Sequence, residues 1–271
     1  MLCNSKEVIM LRTEAISYSV GKKSILKNVS TDFLPGEFNM ILGPNGSGKS
    51  TFLKIFGGEI NDYTGDVYYQ GKNLTGISKA VLATKRAVMS QQPELGFPLS
   101  VDEVVMMGRY PHFTFNPGKK DQTICDKVIE MLQLTDFKDR NYLTLSGGEK
   151  QRVQFARMLA QIYEAPANGY RYLFLDEPLN NLDINYQQEF LHITSTFAKE
   201  HIILIAVMHD INLALQYADK LFFLKEGELV AQGNPSEIIT EHLVEEVFNV
   251  KTSIINNPVS NRPLVIFGNK K

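Results

Sequence analysis

Residues 40–51 read MILGPNGSGKST. An apolar run, Phe38 to Leu42, leads into Gly43, Gly46 and Gly48, and then into a lysine and two hydroxyls, Lys49, Ser50 and Thr51. A glycine-rich turn would account for the glycines alone. The spacing G-x-x-x-x-G-K-[ST] accounts for the rest: glycine lets the backbone turn its N–H groups inward, and a helix beginning near Lys49 adds its positive end. Read this way, Gly43, Pro44, Asn45, Gly46, Ser47, Gly48, Lys49, Ser50 and Thr51 form a phosphate loop. Lys49 reaches the β and γ phosphates of a nucleotide and Ser50 ligates Mg²⁺. The helix that follows is expected to end at Gly57-Gly58.

Outward from this loop the chain reads as an α/β protein. YLFL at 172–175 and IILIAVM at 202–208 are short continuous apolar runs, as expected of strands covered on both faces. Helical segments (187–199 and 211–217) alternate with them, which predicts a parallel sheet with ligands gathered at the carboxyl ends of its strands. Residues 8–40 alternate apolar and polar between turn signals and predict short strands of a half-exposed sheet, joined by GDVYYQGKNL at 65–74. Ile124, Val128, Met131, Leu132 and Leu134 recur near helical spacing, so about 94–150 is read as a helical subdomain.

Composition narrows the classes. A net charge of −2 gives the molecule no general attraction for a polyanion, so free nucleic acid is not an expected partner. Cys3 and Cys125 stand far apart without metal spacing, which excludes a disulfide framework and fits a reducing compartment. The longest apolar run, Ile202–Met208, is far short of the roughly 20 residues that span a bilayer. With no secretory signal at the N-terminus, a cytoplasmic location is expected.

Three further stretches carry chemistry. RYLFLDEP (171–178) ends a buried strand in Asp176 and Glu177. They are solvated acids at a strand end, or else an acid for Mg²⁺ and a base for an attacking water. LSGGEKQR (145–152) has capping-box spacing at Ser146 and Glu149, which explains a helix start. It does not explain Gly147 and Gly148, which cost about 1 kcal/mol each against alanine in a helix and offer close approach to a positive helix end. A second anion site with only one phosphate loop suggests two copies meeting head to tail around shared nucleotides. In AVMHD (206–210), His209 follows a strand end; it is a surface residue, or a donor to a phosphate that also holds the water.

Together these residues resemble the ATP-binding-cassette family over nearly the whole chain, with GPNGSGKST as the Walker A loop, YLFLDE as the Walker B strand and LSGGEKQR as the family signature. The resemblance implies a P-loop NTPase fold with a RecA-like parallel-sheet core, an N-terminal antiparallel β subdomain and a helical subdomain. It divides the chain into an ATPase domain at 8–245 and a C-terminal extension of short strands at 246–271. It implies that Tyr18 stacks on adenine, that Gln91 touches Mg²⁺ and answers to a partner subunit, that Asp183 faces the dimer and that His209 is the switch histidine. ATP and Mg²⁺ are the implied ligands, the metal held by Ser50, Gln91 and Asp176. EPLNNLD at 177–183 departs from the commoner family pattern before Leu-Asp, and Lys150 stands where glutamine is frequent.

Within the family, VDEVVMMGRYPHF at 101–113 is similar to importer ATPases serving metal chelates. The segment AQIYEAPANGYRYLFLDEP at 160–178 is similar to an insertion in the haem importers. The resemblance therefore implies a homodimeric ATPase, peripheral on the cytoplasmic face of the inner membrane, that drives a separate permease fed by a periplasmic or surface binding protein. A ferric siderophore or cobalamin is the alternative cargo. From another class, a soluble ATPase acting on nucleic acid or ribosomes lacks support in the charge and in the absence of coiled-coil or second-cassette segments. A nucleotide-binding regulator without turnover sits poorly with an intact Glu177.

Overall fold

The computed structural model describes residues 11–89, 96–164, 169–180, 182–199 and 201–268. In chain order its first elements are β1 (Leu11–Val20), β2 (Lys23–Phe33), β3 (Phe38–Leu42), α1 (Lys49–Phe56), β4 (Thr64–Tyr69) and β5 (Lys72–Asn73). There follow α2 (Lys79–Lys85), β6 (Arg86–Met89), α3 (Val101–Met106), a 3₁₀ segment (Met107–His112), α4 (Lys119–Met131), α5 (Gly147–Gln161), β7 (Arg171–Asp176) and α6 (Ile184–Ala198). The chain continues through β8 (Ile202–Val207), α7 (Ile211–Tyr217), β9 (Lys220–Lys225), β10 (Glu228–Gly233), α8 (Pro235–Ile238), α9 (Glu241–Phe248), β11 (Thr252–Asn256) and β12 (Pro263–Phe267). Two compact units form, one from 1–77 with 195–271 and one from 78–194.

In the first unit, β2-β1-β4-β5 make an antiparallel sheet, and β10-β9-β3-β8 lie side by side with β3 parallel to both β8 and β9. All residues of β3 and β8 are buried, which is why their sequences run apolar without alternation. β1 and β2 are not the short strands their sequences predict: they run 10 and 11 residues. Ala15 and Asn28 take left-handed φ values of 53° within them, and the pairing shifts register around Ala15. Such bulges break the alternation that marks a strand in sequence.

In the second unit, β6 pairs in parallel with β7, and α3, α4 and α5 pack on one another around Val104, Val105, Val128, Ile129 and Phe155, all buried. Between Val101 and Gln161 three 3₁₀ segments lie among the α-helices α3, α4 and α5.

Candidate functional site

β3 delivers the chain into the phosphate loop. Gly43, Gly46 and Gly48 have φ of 154°, 80° and 102°, the region other residues avoid. A Cβ on Gly43 would lie 2.0 Å from Leu224 O, and on Gly48 2.8 Å from Ile25 O, so β9 and β2 press against the loop; at Gly46 only φ requires glycine.

Lys49 is 5% exposed, and its Nζ donates to Gly43 O (2.8 Å) and Pro44 O (3.0 Å), holding a cation within the loop. The Ser47 hydroxyl is buried without a hydrogen-bond partner. Gly48 caps α1 with no side chain, and the first turn of α1 carries no acid. A cradle with a buried cation, an orphaned buried hydroxyl and an uncapped positive helix end fits a polyphosphate. Asn45 and Gly46 are exposed at its rim, and Ser50 and Thr51 are half-buried in the first turn of α1.

The same unit carries Tyr18 and His209. Tyr18, half-buried on β1, pairs with Leu26, the residue whose Cδ2 a Cβ on Gly48 would meet at 2.8 Å. It is thus one cross-strand neighbour from the loop. Met208 N donates to Ile41 O (3.0 Å), which extends the β3–β8 pairing and brings exposed His209 to the level of Gly43. Asp210 then caps α7, accepting from Asn212 N (2.8 Å) and Leu213 N (3.0 Å).

In the second unit β7 is buried throughout and ends in Asp176, 5% exposed. Glu177 is half-buried at φ 51°, a left-handed conformation that a non-glycine residue keeps only where its surroundings impose it. Asn180 Nδ2 donates to Glu177 Oε2 at 2.9 Å, so the departure noted in EPLNNLD places an amide on the candidate base. Asp183 is exposed and accepts from Tyr186 N (3.0 Å) at the start of α6. Gln91 lies outside the described residues.

The capping box at α5 forms: Ser146 Oγ accepts from Glu149 N (3.3 Å) and Glu149 accepts from Ser146 N (2.7 Å). That backbone bond holds the Glu149 carboxyl below its ordinary value. Gly147 and Gly148 follow in ordinary helical backbone. A Cβ on Gly147 would meet nothing within 4 Å, and one on Gly148 would meet Leu182 Cδ2 at an ordinary 3.5 Å. Neither the fold nor the backbone needs glycine at either position.

Sequence reasoning missed what holds the other end of α5. Arg109, 1% exposed, donates to Ala160 O (2.8 Å), Asp121 Oδ1 (2.9 Å) and Glu164 Oε2 (3.0 Å). His112 Nε2 bonds Gln161 O at 2.7 Å, and Arg171 Nη1 donates to Ile162 O (3.0 Å) and Tyr163 O (2.6 Å). Ala160 O, Gln161 O and Ile162 O are carbonyls that a helix leaves unpaired at its negative end. A signal was present: in the 3₁₀ segment residues three apart lie over one another, so the R and H of GRYPH reach the same helix end. The preceding Gly108 permits the approach, since a Cβ there would fall 2.0 Å from Arg157 O.

A phosphate loop after a buried strand, a buried acid ending another, and a second helix start opened by glycines define a P-loop nucleotide-binding cassette. The family described as ABC transporter matches residues 26–180. The hemin import ATP-binding protein HmuV of Gloeobacter violaceus is 42% identical over 257 residues, covering 95% of this chain and 94% of that protein. The protein of the same name from Mesorhizobium japonicum is 39% identical over 258 residues, covering 95% and 98%. Among solved structures, an ATP-binding cassette in a dimeric post-hydrolysis state bound to ADP and Pi superposes with a TM-score of 0.70 at 27% identity, covering 83% of this chain and 98% of that one. The chain belongs to the ABC transporter family, as an ATPase coupled to transport. No helix among the described residues is long and apolar enough to cross a membrane.

Proposed function

We propose that this ATPase powers uptake of haem. It works as a homodimer of head-to-tail copies, each phosphate loop sharing its ATP with the 146–148 turn of the other copy. The dimer lies peripherally on the cytoplasmic face of the inner membrane, against separate permease subunits supplied by a periplasmic or surface binding protein. The observation that carries the dimer is the pair of exposed Gly147 and half-buried Gly148, which the chain itself does not require. The dimeric relative holding ADP and Pi supports it, and the names of the two curated relatives support haem.

The residue roles follow from this reading. Tyr18 stacks on the adenine, while the loop from Gly43 to Thr51 wraps the phosphates, with the Lys49 ammonium on the β and γ oxygens. Mg²⁺, when bound, neutralises phosphate charge, and Ser50, Asp176 and Gln91 offer it the oxygen ligands it prefers. Glu177 takes the proton of the attacking water, steadied by Asn180, and His209 donates to the γ phosphate. Residues 8–245 form the ATPase domain, its helical subdomain at about 94–150 passing motion to the permease, and 246–271 form an extension.

Purified Glu177→Gln with ATP tests the engine: turnover is lost and the copies elute as a dimer on size exclusion. Unchanged turnover assigns the base elsewhere. Reconstitution with the permease tests the cargo; transport of cobalamin or a ferric siderophore in place of haem refutes that part alone.

A further inference from the structure

The C-terminal ribbon plays no part in the roles above. β11 and β12 pair from Thr252↔Phe267 to Asn256↔Pro263, and an isolated two-stranded ribbon is only marginally stable in water. Both of its outer edges are occupied by side chains. On the β11 side, Glu245 Oε1 accepts from Thr252 N (3.4 Å) and Glu241 Oε1 from Ile254 N (3.2 Å), both carboxylates projecting from α9. On the β12 side, the amide of Asn212 in α7 takes the place of a third strand. Its Nδ2 donates to Val265 O (3.0 Å) and its Oδ1 accepts from Val265 N (2.8 Å).

Arg262, just before β12, reaches the opposite end of α7. Its Nη1 donates to Leu215 O (3.2 Å) and Ala218 O (3.0 Å), carbonyls at the negative end of that helix. One ribbon thus grips α7 at both its first and last turns. A helix of two turns does not hold itself in water, so its placement is set by what packs on it.

α7 starts two residues after His209, and Met208 is pinned to Ile41 on β3. Only His209 and Asp210 lie between a fixed strand end and a helix held by the ribbon. Any displacement of α7 is therefore absorbed at His209 and Asp210.

We propose that Asn212 and Arg262 are positioning residues: the β11–β12 ribbon acts through α7 to set His209 relative to the phosphate loop. This rests on the reading of His209 as the donor to the γ phosphate. A donor of that kind works only within a narrow distance window, so a shift of α7 by about 1 Å is enough to slow turnover.

The test uses the full chain and two readouts. Imidazole carbon–proton NMR spectra locate the His209 signal by its absence in His209→Gln, with His112, His192, His201 and His242 as internal references. ATP turnover is measured on the same samples. Asn212→Ala and Arg262→Ala are expected to displace the His209 signal and lower kcat about tenfold, with KM for ATP within about twofold. Arg262→Lys recovers part of the loss, and Val259→Ser at the 93% exposed ribbon turn changes neither readout. Asn212→Asp, which keeps the acceptor for Val265 N and removes the donor, carries the same test with a smaller perturbation should the alanine variants not fold. A His209 signal unmoved in these variants overturns the proposal, even where kcat falls together with melting temperature. A displaced signal alongside wild-type turnover in His209→Gln leaves the positioning intact and refutes the catalytic reading of the histidine.

Discussion

Replacing Gly147 with alanine separates what this chain needs for itself from what it offers to another. The residue opens α5 in ordinary helical backbone, and its added Cβ would meet no atom within 4 Å. Alanine there relieves a glycine cost of about 0.5–1 kcal/mol and narrows the unfolded ensemble. A gain of that size raises the melting temperature by about 1–4 °C in a chain of this length. The methyl also covers the first-turn amides that the glycine leaves open to a phosphate. Removing one oxyanion donor slows comparable sites by about 100-fold or more. Gly147→Ala is therefore expected to melt slightly higher than the parent while its ATP turnover falls at least tenfold. Scanning calorimetry and a coupled ATPase assay on one preparation read both numbers. Wild-type turnover would refute the shared-nucleotide reasoning, and a melting temperature lowered by several degrees would show that the glycine serves the fold of its own chain.

Arg109→Ala leaves Asp121 buried without its guanidinium and should cost about 3–5 kcal/mol in urea unfolding, with Arg109→Lys in between because it loses the fork. Asn180→Ala removes the amide from Glu177 and should lower kcat about tenfold with KM for ATP unchanged, read from steady-state turnover. Burial, opposed by the bond to Gln161 O and aided by the charge of Arg109, holds His112 below the ordinary histidine value. The folded chain then binds fewer protons than the unfolded one, so the stability linked to His112 is full above about pH 6.5 and declines as pH falls below it. His112→Asn should flatten that slope in urea midpoints measured from about pH 7 to 5.

The parts of the site that were legible in sequence are those governed by local rules. The phosphate loop shows because left-handed φ values select glycine, and the α5 start shows because Ser146 and Glu149 satisfy one another three residues apart. β7 and β8 show because strands buried on both faces have no polar alternation. The rest depends on residues far apart in the chain. Arginine is rarely buried, and Arg109 is buried only because Asp121, Ala160 and Glu164, 12 to 55 positions away, supply acceptors. The left-handed Glu177 had no glycine to announce it. The Asn212–Val265 pairing joins residues 53 apart and has no sequence pattern of its own.

These long-range contacts give α5 a role beyond that of a helix with a motif at its start. Fifteen residues make a rod about 22 Å long. Its negative end is held by Arg109, His112 and Arg171, each bond from an arginine contributing about 1.5–3 kcal/mol. Nearer its positive end, Gln151 Nε2 donates to Pro178 O, one residue past Glu177, and the Arg152 guanidinium lies 4.2 Å over the Tyr186 ring. A rod bonded at its far end to the 3₁₀ segment, and along its length to the loop carrying Glu177, cannot shift without moving both. If the 146–148 turn takes a phosphate as proposed, a displacement of α5 reaches Glu177 through the Gln151–Pro178 bond and the helices behind it through Arg109, with the GRYPH segment as the fastening.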